Sequence, residues 1–313
     1  MCLEHVILEH MTKRKLKLGT RGSKLALVQS EIVQKALERK GNVEIELRII
    51  TTAGDRESTL PLNKIEGKGF FTKEIEQALL NKEIDLAVHS LKDLMTALPE
   101  GLKLGAVGFR ADRRELLVMQ TGVYSSSGVI PITAGAVIGT GSARRQAQIA
   151  VHNPGVVVND IRGNVPTRVE KVRNGEYDAI VVAAAGIERL DLDLSEFTTQ
   201  YLAPDQFLPA PGQGMLAIQI RSEDSETDAL VRMLEDPTAR TEAALERGLL
   251  EKFDSGCSLP LGVYTELTNS AYRLVAVLGH RDGQTWLGLR RAEVLGEDID
   301  TVVASAYDQL AVT

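Results

Sequence analysis

Along the first two thirds of the chain, apolar runs of strand length alternate with stretches whose apolar positions recur every three to four residues. KLKLGT (15–20) reads as a strand and SKLALVQSEIVQKALERK (23–40) as an amphipathic helix with Ser23 as N-cap. VEIELRII (43–50) alternates as a half-buried strand, FFTKEIEQALLNKE (70–83) is helical, and IDLAVHS (84–90) is a buried strand. After GLKLGAV (101–107) the series restarts with AVIGT (136–140) as strand, ARRQAQIAV (143–151) as helix and VVVND (156–160) as strand. TRVEKVRNGE (167–176) is then helical and YDAIVVAAAG (177–186) a strand. Such alternation predicts parallel sheets in α/β lobes.

The restart echoes the beginning. KLGTRGSKLAL and VIGTGSARRQA both run strand, Gly-Thr, Gly-Ser, helix; NKEIDLAV (81–88) and NGEYDAIV (174–181) both place Asn-x-Glu-x-Asp before an apolar strand. Two similar lobes facing a cleft are expected, a layout shared with solute-binding proteins and therefore silent on function. The Pro/Gly-rich FLPAPGQG (207–214) suits a hinge or crossing. Beyond it, a helix (238–253), strands at 272–279 and 285–294 and a closing helix (299–310) predict a small α+β third domain.

Composition narrows the chemistry. The chain of 313 residues carries a net charge of −7, which argues against a general nucleic-acid or anionic-membrane binder. Arginine clusters here are therefore local sites. Cys2 and Cys257 form no disulfide framework or metal quartet, and the five histidines lack metal spacing, so a reducing compartment and no metal are expected. The opening MCLEHVILEHMTKRK is broken by Glu4, His5, Glu9 and His10, unlike a secretory signal, and no apolar run is long enough to span a membrane. The reading is cytoplasmic.

Arg144 and Arg145 open a helix behind Gly141 and Ser142, where free N–H groups and the helix dipole seek anions and guanidinium forks grip carboxylates. Arg21 sits at the matching turn of the first lobe; Arg162 and Arg168 flank IRGNVPTR, and Arg189 follows a strand. Arginines gathered near the C-terminal ends of strands point to a ligand with many carboxylates. Asp93, in HSLKD, lies at a similar strand mouth; it could offset a developing cation or pass a proton, or simply cap a turn. His89 reads as a structural histidine. Lys64 and Lys68 bracket a glycine in a loop before a helix, as lid or as solvated lysines, and the loop lacks the Walker pattern. Cys257, in SGCSLPLG, is sterically open and could carry a covalent attachment, although spacing alone favours packing.

Taken together, GTRGSKLAL, GKGFFTKEIEQALL, DLAVHSLKD, GTGSARRQ, RGNVPTR, NGEYDAIVVAAAGIERL, LPAPGQG and SGCSLPLG resemble the porphobilinogen deaminase family in family order, from about Lys15 onward. The resemblance implies an α/β fold of two transferrin-like (type II periplasmic-binding-protein-like) lobes around a cleft plus a small C-terminal α+β domain. Lobe 1 is expected over 15–109 and 213–232, lobe 2 over 114–206, and the third domain over 236–313. It implies a transferase of tetrapyrrole (heme) biosynthesis that joins four porphobilinogens head to tail, releasing ammonia, to give hydroxymethylbilane. Its cofactor would be dipyrromethane in thioether linkage to Cys257, and it would work as a monomer without nucleic-acid or membrane partners. By motif, Asp93 is expected to be catalytic, hydrogen-bonding pyrrole N–H groups and offsetting the azafulvene cation, a contribution of ~3–4 kcal/mol for one well-placed group. Ser23, Lys92, Ser142, Arg144, Arg145, Arg162 and Arg168 would hold the cofactor; Arg21, Arg189, Gln213, Lys64, Lys68 and Phe71 would meet substrate.

The chain departs from the family at several points. Leu94-Met95 replaces the usual Val-Pro after HSxKD, freeing φ and restoring an N–H beside Asp93. Glu66 replaces a glycine in the lysine loop, Arg113 a proline, and Ala143 a leucine. None removes a catalytic group. Two rivals compete on the residues alone. A solute receptor for polycarboxylates would need a signal peptide and leaves the third domain idle; a two-lobed sensor would need a DNA-binding module, and none stands out.

Overall fold

Each lobe is organised by a five-stranded sheet, and the two sheets repeat one plan. The computed structural model describes residues 13–56, 71–253, 259–268 and 271–311. In lobe 1, β1 (Arg14–Thr20), β2 (Val43–Ile49), β3 (Leu86–Ser90), β4 (Leu102–Gly108) and β10 (Leu216–Arg221) lie in the order β2-β1-β3-β10-β4. In lobe 2, β5 (Glu115–Met119), β6 (Val137–Gly139), β7 (Val157–Asn159), β8 (Ala179–Ala183) and β9 (Thr198–Leu202) lie in the order β7-β6-β8-β5-β9. The sequence echoes fall on equivalent strands. Gly19-Thr20 ends β1, Gly139 ends β6 with Thr140 just beyond it, and the Asn-x-Glu-x-Asp segments precede β3 and β8.

The expectation of parallel sheets needs correction. β1 runs parallel to β2 and β3, and β6 to β7 and β8, but β10 is antiparallel to β3 and β4, and β5 to β8 and β9. The cause is connectivity: β5 enters lobe 2 from lobe 1, and β10 returns to lobe 1 from lobe 2. A strand arriving from the opposite lobe meets its sheet from the cleft side and runs against its neighbours. Both are nearly continuous apolar runs, as strands buried on both faces require.

Helices cover the sheets. In lobe 1, α1 (Lys24–Lys40) packs Val33 and Leu37 onto Leu16, Leu18 and Ile45, joined by Leu230 and Val231 of α7 (Ser225–Val231); the short α2 (Ala53–Arg56) follows β2, and α3 (Lys73–Leu80) buries Ile75 and Leu79 on the other face. The helix expected over 70–83 is thus shorter, with Thr72 before it and Asn81 closing it. In lobe 2, α4 (Ala143–His152) buries Ile149 against β6 and β8, and α5 (Val165–Arg173) buries Val169 and Val172 on the opposite face. The strand expected over 177–186 ends at Ala183; the small residues beyond it form α6 (Ala184–Leu190). Gly186 of α6 faces Leu25 of α1 across the lobes, where an added Cβ would meet Leu25 at 3.9 Å.

In the third domain, α8 (Pro237–Lys252) and α9 (Ile299–Ala311) cover one face of an antiparallel sheet of β11 (Leu261–Leu267), β12 (Tyr272–Asp282) and β13 (Thr285–Gly296). The other face rests on α4: a Cβ on Gly279 would lie 2.5 Å from that of buried Ala147. The arginine-bearing helix is therefore held between lobe 2 and the third domain.

Candidate active site in the interlobe cleft

The N-terminus of α4 is fixed by Ser142, whose hydroxyl accepts from the Arg145 N–H, as an N-cap should. Arg144 and Arg145 then turn inward instead of to water, each about 6% exposed. Their anion is internal. Arg144 donates Nη2 to Glu115 Oε1 at 2.6 Å and Nη1 to the Leu208 carbonyl at 2.7 Å. Arg145 spans the same carboxylate, Nε to Oε1 at 3.1 Å and Nη2 to Oε2 at 2.7 Å. Burial alone would raise the Glu115 pKa, but the Arg145 and Arg144 guanidiniums and Lys92 hold it down at about 2. The sequence motifs do not mark Glu115 as a site residue. A carboxylate opening the buried run ELLVM was the available signal, since a buried charge requires a counter-ion.

Farther along lobe 2, Asn164 caps α5 and Pro166 sits in its first turn, which sets Arg162 before and Arg168 within the helix. Arg168 donates Nε to the Gly163 carbonyl at 2.8 Å. Its pKa is pulled down to about 10, by burial first and then by Arg145 and Arg162. Burial also lowers that of Arg162, whose Nε and Nη2 are buried without a hydrogen-bond partner. The cations Lys92, Arg144, Arg145, Arg162 and Arg168 thus outnumber the carboxylates they face, Glu115 with the exposed Asp93 and Asp160. Such a cluster attracts anions, and its orphaned N–H groups fit a ligand with several carboxylates.

The lobe 1 side is built on the short turn Leu91–Asp93 after β3. Leu91 is fully buried and anchors the turn, so the two residues after it diverge. Lys92 reaches toward lobe 2, donating Nζ to Gln213 Oε1 at 3.4 Å; burial lowers its pKa, partly offset by Asp93. Asp93 is exposed and lines a cavity of about 70 Å³ with Arg21, Ser23, Gln29, Phe71 and His89. Arg21 is 4.2 Å from the Phe71 ring centroid and pairs with Asp55, Nη2 to Oδ1 at 2.6 Å. Ser23 accepts from the Ala26 N–H and caps α1 as expected. His89 faces Gln219 at 3.0 Å, and burial pushes its pKa down to about 4, so it stays neutral, in keeping with the structural reading.

The two sides join at LPAPGQG. Gln213 N–H donates to Ala210 O at 3.0 Å, closing a turn with Pro211 in its second position and Gly212 (φ +73°) in its third, the type II pattern. A Cβ on Gly212 would meet Leu91 at 2.9 Å, and one on Gly214 (φ +88°) the Ala111 carbonyl at 2.6 Å. Both glycines are required for this approach. Arg189 reaches the junction, donating Nη2 to Phe109 O at 2.9 Å and Gly214 O at 2.6 Å.

The structure therefore gathers Lys92, Ser142, Arg144, Arg145, Arg162, Arg168 and Gln213 toward one side of the cleft, and Arg21, Ser23, Phe71 and Asp93 around the cavity on the other. Arg189 instead lies at the crossing, bonded to backbone carbonyls. Cys257, Lys64, Lys68 and the Glu66 departure lie outside the described residues. Among the described residues, no group of three or more His, Cys, Asp or Glu could hold a metal, and no helix is long and apolar enough to cross a membrane.

Residues 16–229 match the family described as porphobilinogen deaminase, dipyrromethane cofactor-binding domain, and residues 240–301 the porphobilinogen deaminase C-terminal domain. The chain belongs to the porphobilinogen deaminase family. It is 40% identical over 283 residues to the porphobilinogen deaminase of Syntrophobacter fumaroxidans, covering 90% of each chain. It is 39% identical over 291 residues to that of Bacillus subtilis, covering 92% of this chain and 90% of the relative. The porphobilinogen deaminase of Maridesulfovibrio salexigens is 40% identical over 299 residues, 95% of both chains.

Proposed function

We propose that this chain is a hydroxymethylbilane synthase: it condenses four porphobilinogens head to tail, with loss of ammonia at each step, on a dipyrromethane attached to Cys257. The observation that carries the reading is the surplus of buried and half-buried cationic groups around Lys92, beside Asp93, including the unpartnered Nε and Nη2 of Arg162. Each pyrrole unit brings an acetate and a propionate, so a growing chain needs guanidinium groups not already neutralised. When bound, the dipyrromethane supplies the terminal pyrrole carbon on which extension occurs.

The chain's own residues then divide the work. Arg162 and Arg168, with the outer faces of Arg144 and Arg145, receive carboxylates; Glu115 fixes the pair so that their forks need no reorganisation as a carboxylate docks. Lys92, steadied by Gln213, adds a point charge beside them. Ser142 and Ser23 act chiefly by capping α4 and α1. Arg21, oriented by Asp55 and stacked near Phe71, faces the Asp93 cavity, where a porphobilinogen carboxylate would pair with it. Asp93 accepts pyrrole N–H bonds, offsets the cation formed as ammonia departs, and takes up the proton released on coupling. Arg189 braces the crossing between lobes, and Lys64 and Lys68 remain assigned to substrate through their motif.

By its family resemblance the chain works as a monomer, and a reducing cytoplasm would keep Cys257 a free thiol for attachment. Incubating the purified protein with porphobilinogen tests the reading. Hydroxymethylbilane should form with four ammonia released per bilane; consumption of porphobilinogen without bilane, or no consumption by cofactor-loaded protein, would contradict it.

A further inference from the structure

Helix α8 of the third domain crosses behind the active-site turn, and two consecutive residues on it reach the backbone of the turns in front of it. Glu246 is fully buried; its Oε2 accepts from the Gly212 N–H at 2.6 Å and its Oε1 from Arg110 Nη2 at 3.0 Å and Thr265 Oγ1 at 2.8 Å. Arg247 spreads its fork over the carbonyls of the Asp93 turn. Nη1 donates to Leu94 O at 2.8 Å and Leu91 O at 3.3 Å, and Nη2 to Met95 O at 2.6 Å. The Leu91 carbonyl also accepts from the Leu94 N–H at 3.2 Å, which closes the three-residue turn, and the Leu94 and Met95 carbonyls lie just past it, where no helix continues to supply donors. Met95 and Leu94 are also where the family's Val-Pro is replaced, so the backbone after Asp93 lacks a proline's fixed φ.

We propose that Arg247 is a positioning residue for Asp93, and that Glu246 does the same for the Gln213 turn, so that one helix of the cofactor-bearing domain sets the distance between the two sides of the cleft. This rests on the role assigned to Asp93 above. Leu91, buried under the turn, has its N–H bonded to Met215 O at 3.0 Å and its side chain against Gly212. The Asp93 turn and the Gln213 turn are thus in contact, and α8 grips both from behind through a charged donor and a charged acceptor, each stronger than a neutral partner. α8 ends at Lys252, five residues before Cys257, so the element that holds Asp93 in place is also the one that leads to the attachment point.

The test uses Arg247→Ala and Arg247→Lys in the full chain. In protein prepared without cofactor, amide exchange over residues 91–96 should accelerate roughly 10–100-fold in Arg247→Ala, the effect expected when hydrogen bonds to a charged group are lost, with a smaller rise in Arg247→Lys. In cofactor-loaded protein, kcat should fall with KM for porphobilinogen little changed, because the lobe 2 arginines are untouched. Low millimolar guanidinium should restore part of the kcat of Arg247→Ala by refilling the site, whereas a merely destabilised protein would lose more activity. Unchanged exchange over 91–96, or exchange rising equally in β12, would overturn the proposal; so would a kcat equal to the parent's. Should Arg247→Ala not fold, Arg247→Lys decides by the same two readouts. Failure of the parent protein to make bilane would remove the Asp93 assignment, yet the exchange measurement would still decide whether α8 holds the turn.

Discussion

Replacing Glu115 by Gln should weaken lobe 2 more than any surface change and should do so chiefly in protein lacking cofactor. The carboxylate is fully buried, grips both guanidiniums of the Arg144–Arg145 pair, and also faces Lys92. Gln keeps the shape but removes the charge and turns an N–H₂ donor toward one of the guanidiniums. Breaking a buried ion pair by removing one partner typically costs about 3–5 kcal/mol, because an uncompensated charge stays behind. That corresponds to roughly two to three and a half decades faster exchange for β5 and α4 amides that open with the lobe. Bound dipyrromethane, which carries four carboxylates, would supply replacement negative charge, so the loss should be smaller in loaded protein. Amide exchange of both forms reads the effect directly. A loss below about 1 kcal/mol, the level of an exposed pair, would refute the view that Glu115 neutralises the pair. Equal losses in the two forms would refute the view that the pair faces the ligand.

Other expectations follow from the same geometry. Asp93→Asn should lower turnover at least about 10²–10³-fold with the fold retained, as judged by single-turnover bilane release and circular dichroism. Arg162→Met should raise KM for porphobilinogen yet stabilise the cofactor-free protein by about 1 kcal/mol in urea titrations, because it removes two buried guanidinium nitrogens that lack hydrogen-bond partners. Gly212→Ala should cost about 1–3 kcal/mol in thermal unfolding, since it meets both positive φ and Leu91; Gly283→Ala, at φ +55° with open space around it, should cost less. His89 has a folded pKa near 4, below the 6.5 of the unfolded chain, so the unfolded state binds the extra proton first. Its contribution, about 3 kcal/mol, should be present above pH 6.5 and vanish as pH falls to 4, and His89→Asn should flatten that window of the stability profile.

Much of the fold follows local pattern because local physics decides it. Amphipathic periodicity with the Ser23 cap marks α1, and periodicity alone marks α4, within a residue or so. What local pattern omits is anything decided by an element distant in the chain. β5 and β10 are apolar runs without alternation, and their antiparallel direction depends on which lobe the chain has just left. At the site, the motifs identify the cations but not their internal partners. Arg144 and Arg145 read as open anion receptors until Glu115, 29 and 30 residues upstream, occupies part of both forks. Arg21 likewise has Asp55, and Arg189 takes carbonyls at the crossing. The anion selectivity of the cleft thus comes from what remains after these internal pairings, a quantity that no single motif contains.

Intact-mass spectrometry tests most directly whether the cleft works on pyrrole units carried by Cys257. Protein from a porphobilinogen-competent host should carry one dipyrromethane adduct, and brief exposure to porphobilinogen should add a ladder of pyrrole-unit increments. Cys257→Ser should show neither. An unmodified but active parent, or bilane synthesis by Cys257→Ser, would contradict the account.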